Sequence, residues 1–210
     1  NIFADCVFST NFARDSYSWS SDGFAVGLYS SGGRLEARGC RFYANQANSG
    51  GGAIDLRGGV TAVITNCLIA NNSSHNAGIY VSGAGSVQIA SCTIADNSGS
   101  GVQVASGGPV VLRNSIVWNN GRELQGTITV TNSCLPETNV VGAIHDDPQF
   151  QYEYYLAPGS PCLNIGSATA AAAGLADRYA RADALDTNVL DIGYHYTAGY
   201  TLTNANLYVA

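Results

Sequence analysis

The side chains with most chemistry to offer in this sequence are six cysteines, three histidines and fifteen carboxylates, set against nine arginines and no lysine. Cys6, Cys40, Cys67 and Cys92 follow one another at steps of 34, 27 and 25 residues. Zinc needs converging pairs at short spacing. One cysteine per long repeat forms a column instead, so we read these four as small, buried side chains, a common use of free Cys, and expect no metal and no cofactor. Cys134 and Cys162 stand apart, 28 residues from each other in an irregular region. A disulfide between them would stabilise by about 3–4 kcal/mol on the chain-entropy estimate, and we expect one, which favours an oxidising, extracellular setting. A second cluster lies in residues 11–23, where Arg14, Asp15, Tyr17, Trp19 and Asp22 share one long loop. Aromatic rings with polar neighbours can stack a sugar or dock another protein; they can also fold back over the chain.

What must position these residues is a phrase written five times. Cys6-Val-Phe-Ser-Thr-Asn11, Cys40-Arg-Phe-Tyr-Ala-Asn45, Cys67-Leu-Ile-Ala-Asn-Asn72, Cys92-Thr-Ile-Ala-Asp-Asn97 and Ser115-Ile-Val-Trp-Asn-Asn120 each place an Asn five residues after a Cys or Ser. A period near 25 residues is a solenoid signature. A strand precedes each Cys (residues 35–37, 62–64, 87–89 and 110–112), and another lies between copies (25–28, 53–56, 78–81, 101–104 and 127–130), joined by Gly-rich turns. Three short alternating strands per coil, stacked about 4.8 Å apart, make an all-β fold: a right-handed parallel β-helix of about five coils. The Cys column and Phe8, Phe42, Ile69, Ile94 and Val117 point inward. The Asn column forms a ladder of side-chain amides at the turn.

The repeat also locates the outward columns: Gly27, Asp55, Tyr80, Gln103, Thr129; Val7, Arg41, Leu68, Thr93, Ile116; Ser9, Tyr43, Ala70, Ala95, Trp118; and Glu36, Val63, Gln88, Val111. Glycoside hydrolysis needs two carboxylates at a suitable separation. A lyase needs a base beside calcium-holding carboxylates. No column sets two carboxylates on neighbouring coils, so the sheets argue against catalysis, while loops remain able to assemble a site.

After residue 131 the text changes. Asn114-Ser-Ile-Val-Trp-Asn119, Asp147-Pro-Gln-Phe150, the run from Leu156 to Gly166 and Asp191-Ile-Gly-Tyr-His-Tyr196 resemble the closing region of secreted bacterial right-handed β-helix repeat proteins of the choice-of-anchor or pectate-lyase-like type. The resemblance covers nearly all of residues 1–196. It implies a secreted or cell-surface protein whose last coils are closed by a loop-rich cap. One departure is Asn164, where such proteins usually carry Asp. An Asn can hold a turn there but puts ion binding in doubt. We therefore divide the chain into coils (1–131), cap (132–196), with a short helix in its Ala-rich stretch 168–185, and a tail (197–210).

Net charge is −6, charged residues are 11% of the chain, and they form no block, which argues against a nucleic-acid surface. No apolar run approaches the roughly 20 residues of a membrane helix. The tail alternates again at Leu202, Ala205, Leu207 and Val209, following Thr201. It is either a linker leading into a further domain or a free strand suited to adding to another molecule's open coil, and a heterologous contact of the latter kind builds a filament. The expectation is a non-catalytic extracellular β-solenoid with a structural or adhesive role, associating end to end into a fibre. The alternative is a polysaccharide-active enzyme or carbohydrate-binding module, with residues 11–23 as its binding edge.

Overall fold

A computed structural model describes residues 1–13, 27–48 and 50–197. Three parallel sheets wind around a narrow core. The first holds Ile2–Ala4, Arg34–Arg38, Thr61–Thr65, Ser86–Ala90, Val110–Arg113 and Thr129–Thr131. The second runs from Val7–Ser9 through Arg41–Tyr43, Leu68–Ala70, Thr93–Ala95 and Ile116–Trp118 to Ser133–Cys134 and Ala143–Ile144. The third holds Leu28–Ser31, Gly51–Arg57, Ala77–Ala84, Ser100–Gly107 and Arg122–Gln125. The register pairs Phe8 with Phe42, Phe42 with Ile69, Ile69 with Ile94 and Ile94 with Val117, so the inward column is continuous. Phe42, Ile69, Ile94 and Val117 are fully buried. Phe8 and Phe42 stack with centroids 4.7 Å apart.

Two corners give each coil its shape. The first, between first and second sheets, puts Asp5, Gly39, Asn66, Ser91, Asn114 and Asn132 at positive φ; the second puts Thr10, Ala44, Asn71, Asp96 and Asn119 there. A one-residue corner of this kind suits Gly, Asn and Asp, which enter the left-handed region most readily. That is why Asn precedes so many of the repeated phrases.

The cysteine column is more than apolar filling. Each thiol donates to the carbonyl two residues back, at 3.2–3.4 Å for Cys6, Cys40, Cys67 and Cys92. The Cys67 and Cys92 amides also donate upward, to Cys92 Sγ at 3.4 Å and Ser115 Oγ at 3.1 Å. A hydroxyl does both jobs, so Ser115 and Ser133 continue the column, the Ser115 amide donating to Ser133 Oγ at 3.2 Å.

The asparagine ladder forms along the second corner. In every rung the main-chain N–H and the Nδ2 of one Asn donate to Oδ1 of the next, from Asn11 through Asn45, Asn72 and Asn97 to Asn120. No sixth Asn follows. Glu123 takes its place: its carboxylate accepts the Asn120 N–H at 3.2 Å and Nδ2 at 2.6 Å. Glu123 lies in register with Gly101, itself in register with Gly78, and a Cβ at Gly101 would stand 3.0 Å from Asn120 Nδ2. Burial raises the Glu123 carboxyl above its ordinary 4.5, against the Asn120 donors that pull it down. Its protonation thus contributes stability that is fully present below pH 4.5 and is lost as pH rises through the raised folded value. Urea midpoints measured from pH 7 down to 4 should rise relative to those of Glu123→Gln; parallel curves would show that Glu123 is not the buried end of the ladder.

Two expectations for the strands are corrected. The segment expected at 127–130 in the third sheet falls in the first, as Thr129–Thr131 beside Val110–Arg113. The third sheet takes Arg122–Gln125 instead. The shortest coil has no spare turn between its Asn and the next strand, and Gly121 N–H goes directly to Asn97 and Gly99 carbonyls. The outward column is accordingly Tyr29, Asp55, Tyr80, Gln103 and Gln125. The Ala-rich stretch yields only one helical turn, Ala170–Ala173, stopped by Gly174 in the left-handed region.

The cap reaches beyond the last coil. Besides packing on the last coil, it runs back along the outer face of the second sheet. Gly193 N–H bonds Asn114 O at 2.9 Å, Tyr194 N–H bonds Thr93 Oγ1 at 3.0 Å, and His195 exchanges two bonds with the Asn66 side chain. Three consecutive residues thus tie three consecutive coils. Arg178, on the strand paired with Tyr196–Thr197, reaches Asp5 on the first coil at 3.3 Å. Gly193 is required twice: its φ is +100°, and a Cβ would stand 2.9 Å from Ile116 Cδ1 and Thr93 Oγ1. At the centre of the strap His195 is fully buried, Nε2 on Asp186 Oδ2 at 2.9 Å and Nδ1 on Gly193 O at 3.1 Å.

Candidate functional site

Where the strap and the turn before it stand off the second sheet, they enclose a cleft of about 550 Å³. Its floor is the sheet's outer face: Val7 and Ser9 from the first coil, Arg41 and Tyr43 from the second, and Leu68 from the third. Asn71 and Asp96, at the second corner, close one side, where Tyr154 meets them, and Phe150, Gln151, Glu153 and Tyr196 complete the lining. The alternation that sends Phe42 inward sends Arg41 and Tyr43 outward. Tyr43 keeps 44% of its surface exposed.

The corner geometry builds the polar side of the cleft. Asn71 and Asp96 sit at positive φ immediately before ladder asparagines, so their side chains leave the coil while Asn72 and Asn97 enter the ladder. Tyr154 joins them: its hydroxyl donates to Asp96 Oδ2 at 2.7 Å and accepts from Asn71 Nδ2 at 2.7 Å. Asn119 Nδ2 donates to the other Asp96 oxygen at 2.6 Å. Burial, and then the Asp96 acceptor, push the Tyr154 phenol well above its ordinary range, so it remains a donor. Glu153 and Tyr154 both have positive φ, at 53° and 68°. For residues with a Cβ this costs on the order of 1–2 kcal/mol each. The turn is held there by the bonds to Tyr154 and by the Tyr196 hydroxyl, which donates to the Glu153 carbonyl. Tyr155 stacks on Tyr196 behind it, centroids 3.9 Å apart.

Elsewhere the outward carboxylates are clamped. Glu36 is gripped by Arg34 at 2.6 Å and Arg38 at 2.7 Å, and the Arg34 bond, then that of Arg38, holds its carboxyl below the usual value. The fully buried Asp55 is gripped by Arg57, whose guanidinium also lies over the Tyr80 ring. Among the described residues no three His, Cys, Asp or Glu converge on a common point.

The residues singled out from sequence fare differently. Arg14, Asp15, Tyr17, Trp19 and Asp22 lie outside the described residues, as do Thr201, Leu202, Leu207 and Val209. Cys134 and Cys162 do come together, in a fully buried cluster with Ile116, Leu156, Ala180 and Ile192. A disulfide is expected between them from the sequence; the structure holds both as free thiols, and the Cys134 S–H donates to Asp146 O at 3.3 Å. The Cys134 thiol beside it, and then burial, push the Cys162 thiol up. Cys134 pairs with Ile116 and so belongs to the outward column, not the inward one continued by Ser133. Thiol titration of the denatured, unreduced protein should therefore count six sulfhydryls; a count of four would restore the bridge. Asp147 caps its own turn by accepting from Gln149 N–H at 2.7 Å, and His75 is exposed with Nδ1 on Asn48 O. Asn164 holds a turn at positive φ, its N–H bonded to Asp191 at 2.7 Å.

Three stacked parallel sheets, a corner ladder of asparagines and an inward column of small thiols and hydroxyls define a right-handed β-helix solenoid. The family described as right handed beta helix region matches residues 1–143, and the chain belongs to it. No curated protein and no solved structure matches the chain. No helix of the described residues is long and apolar enough to cross a membrane.

Proposed function

We propose that this protein is a non-catalytic β-helix scaffold of the cell exterior, with a structural or adhesive role, that holds a ligand in the cleft between its second sheet and its strap. The observation that carries the non-catalytic reading is the state of the carboxylates: Glu36 and Asp55 are locked by arginines on their own strands, and both oxygens of Asp96 are engaged by Tyr154 and Asn119. A hydrolase needs one carboxyl to deliver a proton and a second to attack or activate water. Among the described residues only Glu153 adds a further carboxylate to the cleft, on an exposed turn. Because a fold by itself assigns no activity, the reading stands on these contacts.

The test is prolonged incubation with a panel of plant, algal and bacterial polysaccharides, following new reducing ends and unsaturated products. Neither should accumulate above a heat-denatured control. Turnover that is lost on Glu153→Gln would replace this reading with that of a glycan-cleaving enzyme.

A further inference from the structure

Resting on that reading, we infer that the cleft takes a short stretch of a neutral oligosaccharide, laid across the outer face of the second sheet against Tyr43.

The ligand class follows from what the cleft offers. Tyr43, Phe150, Tyr154 and Tyr196 bring aromatic rings to one space, and such rings give large contact area with a polar tip. A pyranose presents apolar C–H faces of matching kind. Among the polar groups, Arg41 only donates, Asp96 and Glu153 accept, and Asn71, Gln151 and Ser9 do both. Such a mixture serves a ligand that needs donors and acceptors at every edge, which is the character of hydroxyls. Both signs of charge line the same space, so a polyanion meets Asp96 and Glu153 and a polycation meets Arg41. A neutral polyol meets neither penalty. An extended peptide is disfavoured for another reason: the floor is the face of a sheet, whose main-chain groups are already paired between coils, so strand addition has no edge to use. The left-handed conformation of Glu153 and Tyr154 adds an independent sign, since strained backbone of this kind gathers at binding sites.

The experiment is titration calorimetry of the full chain with neutral gluco-, xylo- and manno-oligosaccharides, and with uronate and sulfated oligomers as comparison. At least one neutral series should bind with little dependence on salt. Tyr43→Ala should weaken it at least tenfold. Tyr29→Ala, which removes a ring of similar exposure (41%) from the third sheet, should leave it unchanged. Binding confined to acidic oligomers, binding to none, or equal loss in the two variants overturns the inference while leaving the non-catalytic reading intact. Cleavage of a bound neutral oligomer would instead overturn that reading and keep the cleft.

Discussion

Asn72→Ala should cost about 3–5 kcal/mol of folding stability, several times the effect of Asn11→Ala at the end of the same ladder. Asn72 is 2% exposed and its side chain is fully engaged: the two Nδ2 hydrogens are shared among Phe42 O, Ala70 O and Asn97 Oδ1, and Oδ1 accepts the N–H and Nδ2 of Asn45. Removing it strands buried donors and acceptors on both neighbouring coils, each worth about 1–3 kcal/mol when left unsatisfied. Asn11 is exposed, and water can replace its partners. Urea denaturation of both variants checks this. A cost for Asn72→Ala below about 1 kcal/mol would mean that strand pairing and core packing, rather than the ladder, hold the corner.

The second large effect is expected at the strap. His195→Leu removes the ring partner of Asp186, whose side chain is 2% exposed. Asp186 would keep only the Asp191 N–H at 2.7 Å. Breaking one side of a buried pair typically costs about 3–5 kcal/mol, whereas replacing both partners by apolar groups is often close to neutral. We therefore expect hydrogen exchange at the amides of Tyr194 and His195 to accelerate by orders of magnitude in the single variant, with the coil amides little changed. Most of that loss should return in His195→Leu/Asp186→Leu. A double variant no better than the single would show that the pair matters through its shape alone. Undocking would also remove Tyr196 from the cleft wall, so ligand binding should fall with strap protection.

The coils were legible because their signal is periodic. One inward residue type recurs at each step, so Cys6 to Ser115 and Phe8 to Val117 could be aligned by eye, and the register confirms that alignment. It failed at 127–130, where the repeat had shortened and alternation alone could not say which of two sheets a strand joins. The site was mostly hidden. Its polar half rests on Asn71 and Asp96, which look like spare members of Asn-Asn and Asp-Asn pairs until the corner geometry shows that one of each pair must point out. Its other half, residues 150–154 and Tyr196, arrives from more than fifty positions away. No local pattern encodes that return path. The signal that existed was the density of aromatics between Phe150 and Tyr155 and again at Tyr194 and Tyr196, more than a turn needs. Glu123 as the ladder's terminal acceptor was missed for a different reason: it breaks the Asn pattern that made the ladder visible.

The strap has one more consequence. An extended chain advances about 3.3 Å per residue and stacked coils about 4.8 Å per step, yet residues 193, 194 and 195 meet three successive coils, the difference being taken up by the reach of the Thr93 and Asn66 side chains. Such a match holds only over a short span. Most solenoids tolerate gain or loss of a repeat because each unit knows only its neighbours. Here the strap acts as a measuring rod laid against the stack, with Arg178 and Asp5 marking its far end. A duplicated coil between Asn66 and Asn114 would push the marks past one another, so the spacing of the coils from Asp5 to Asn114 is matched by a segment that belongs to none of them.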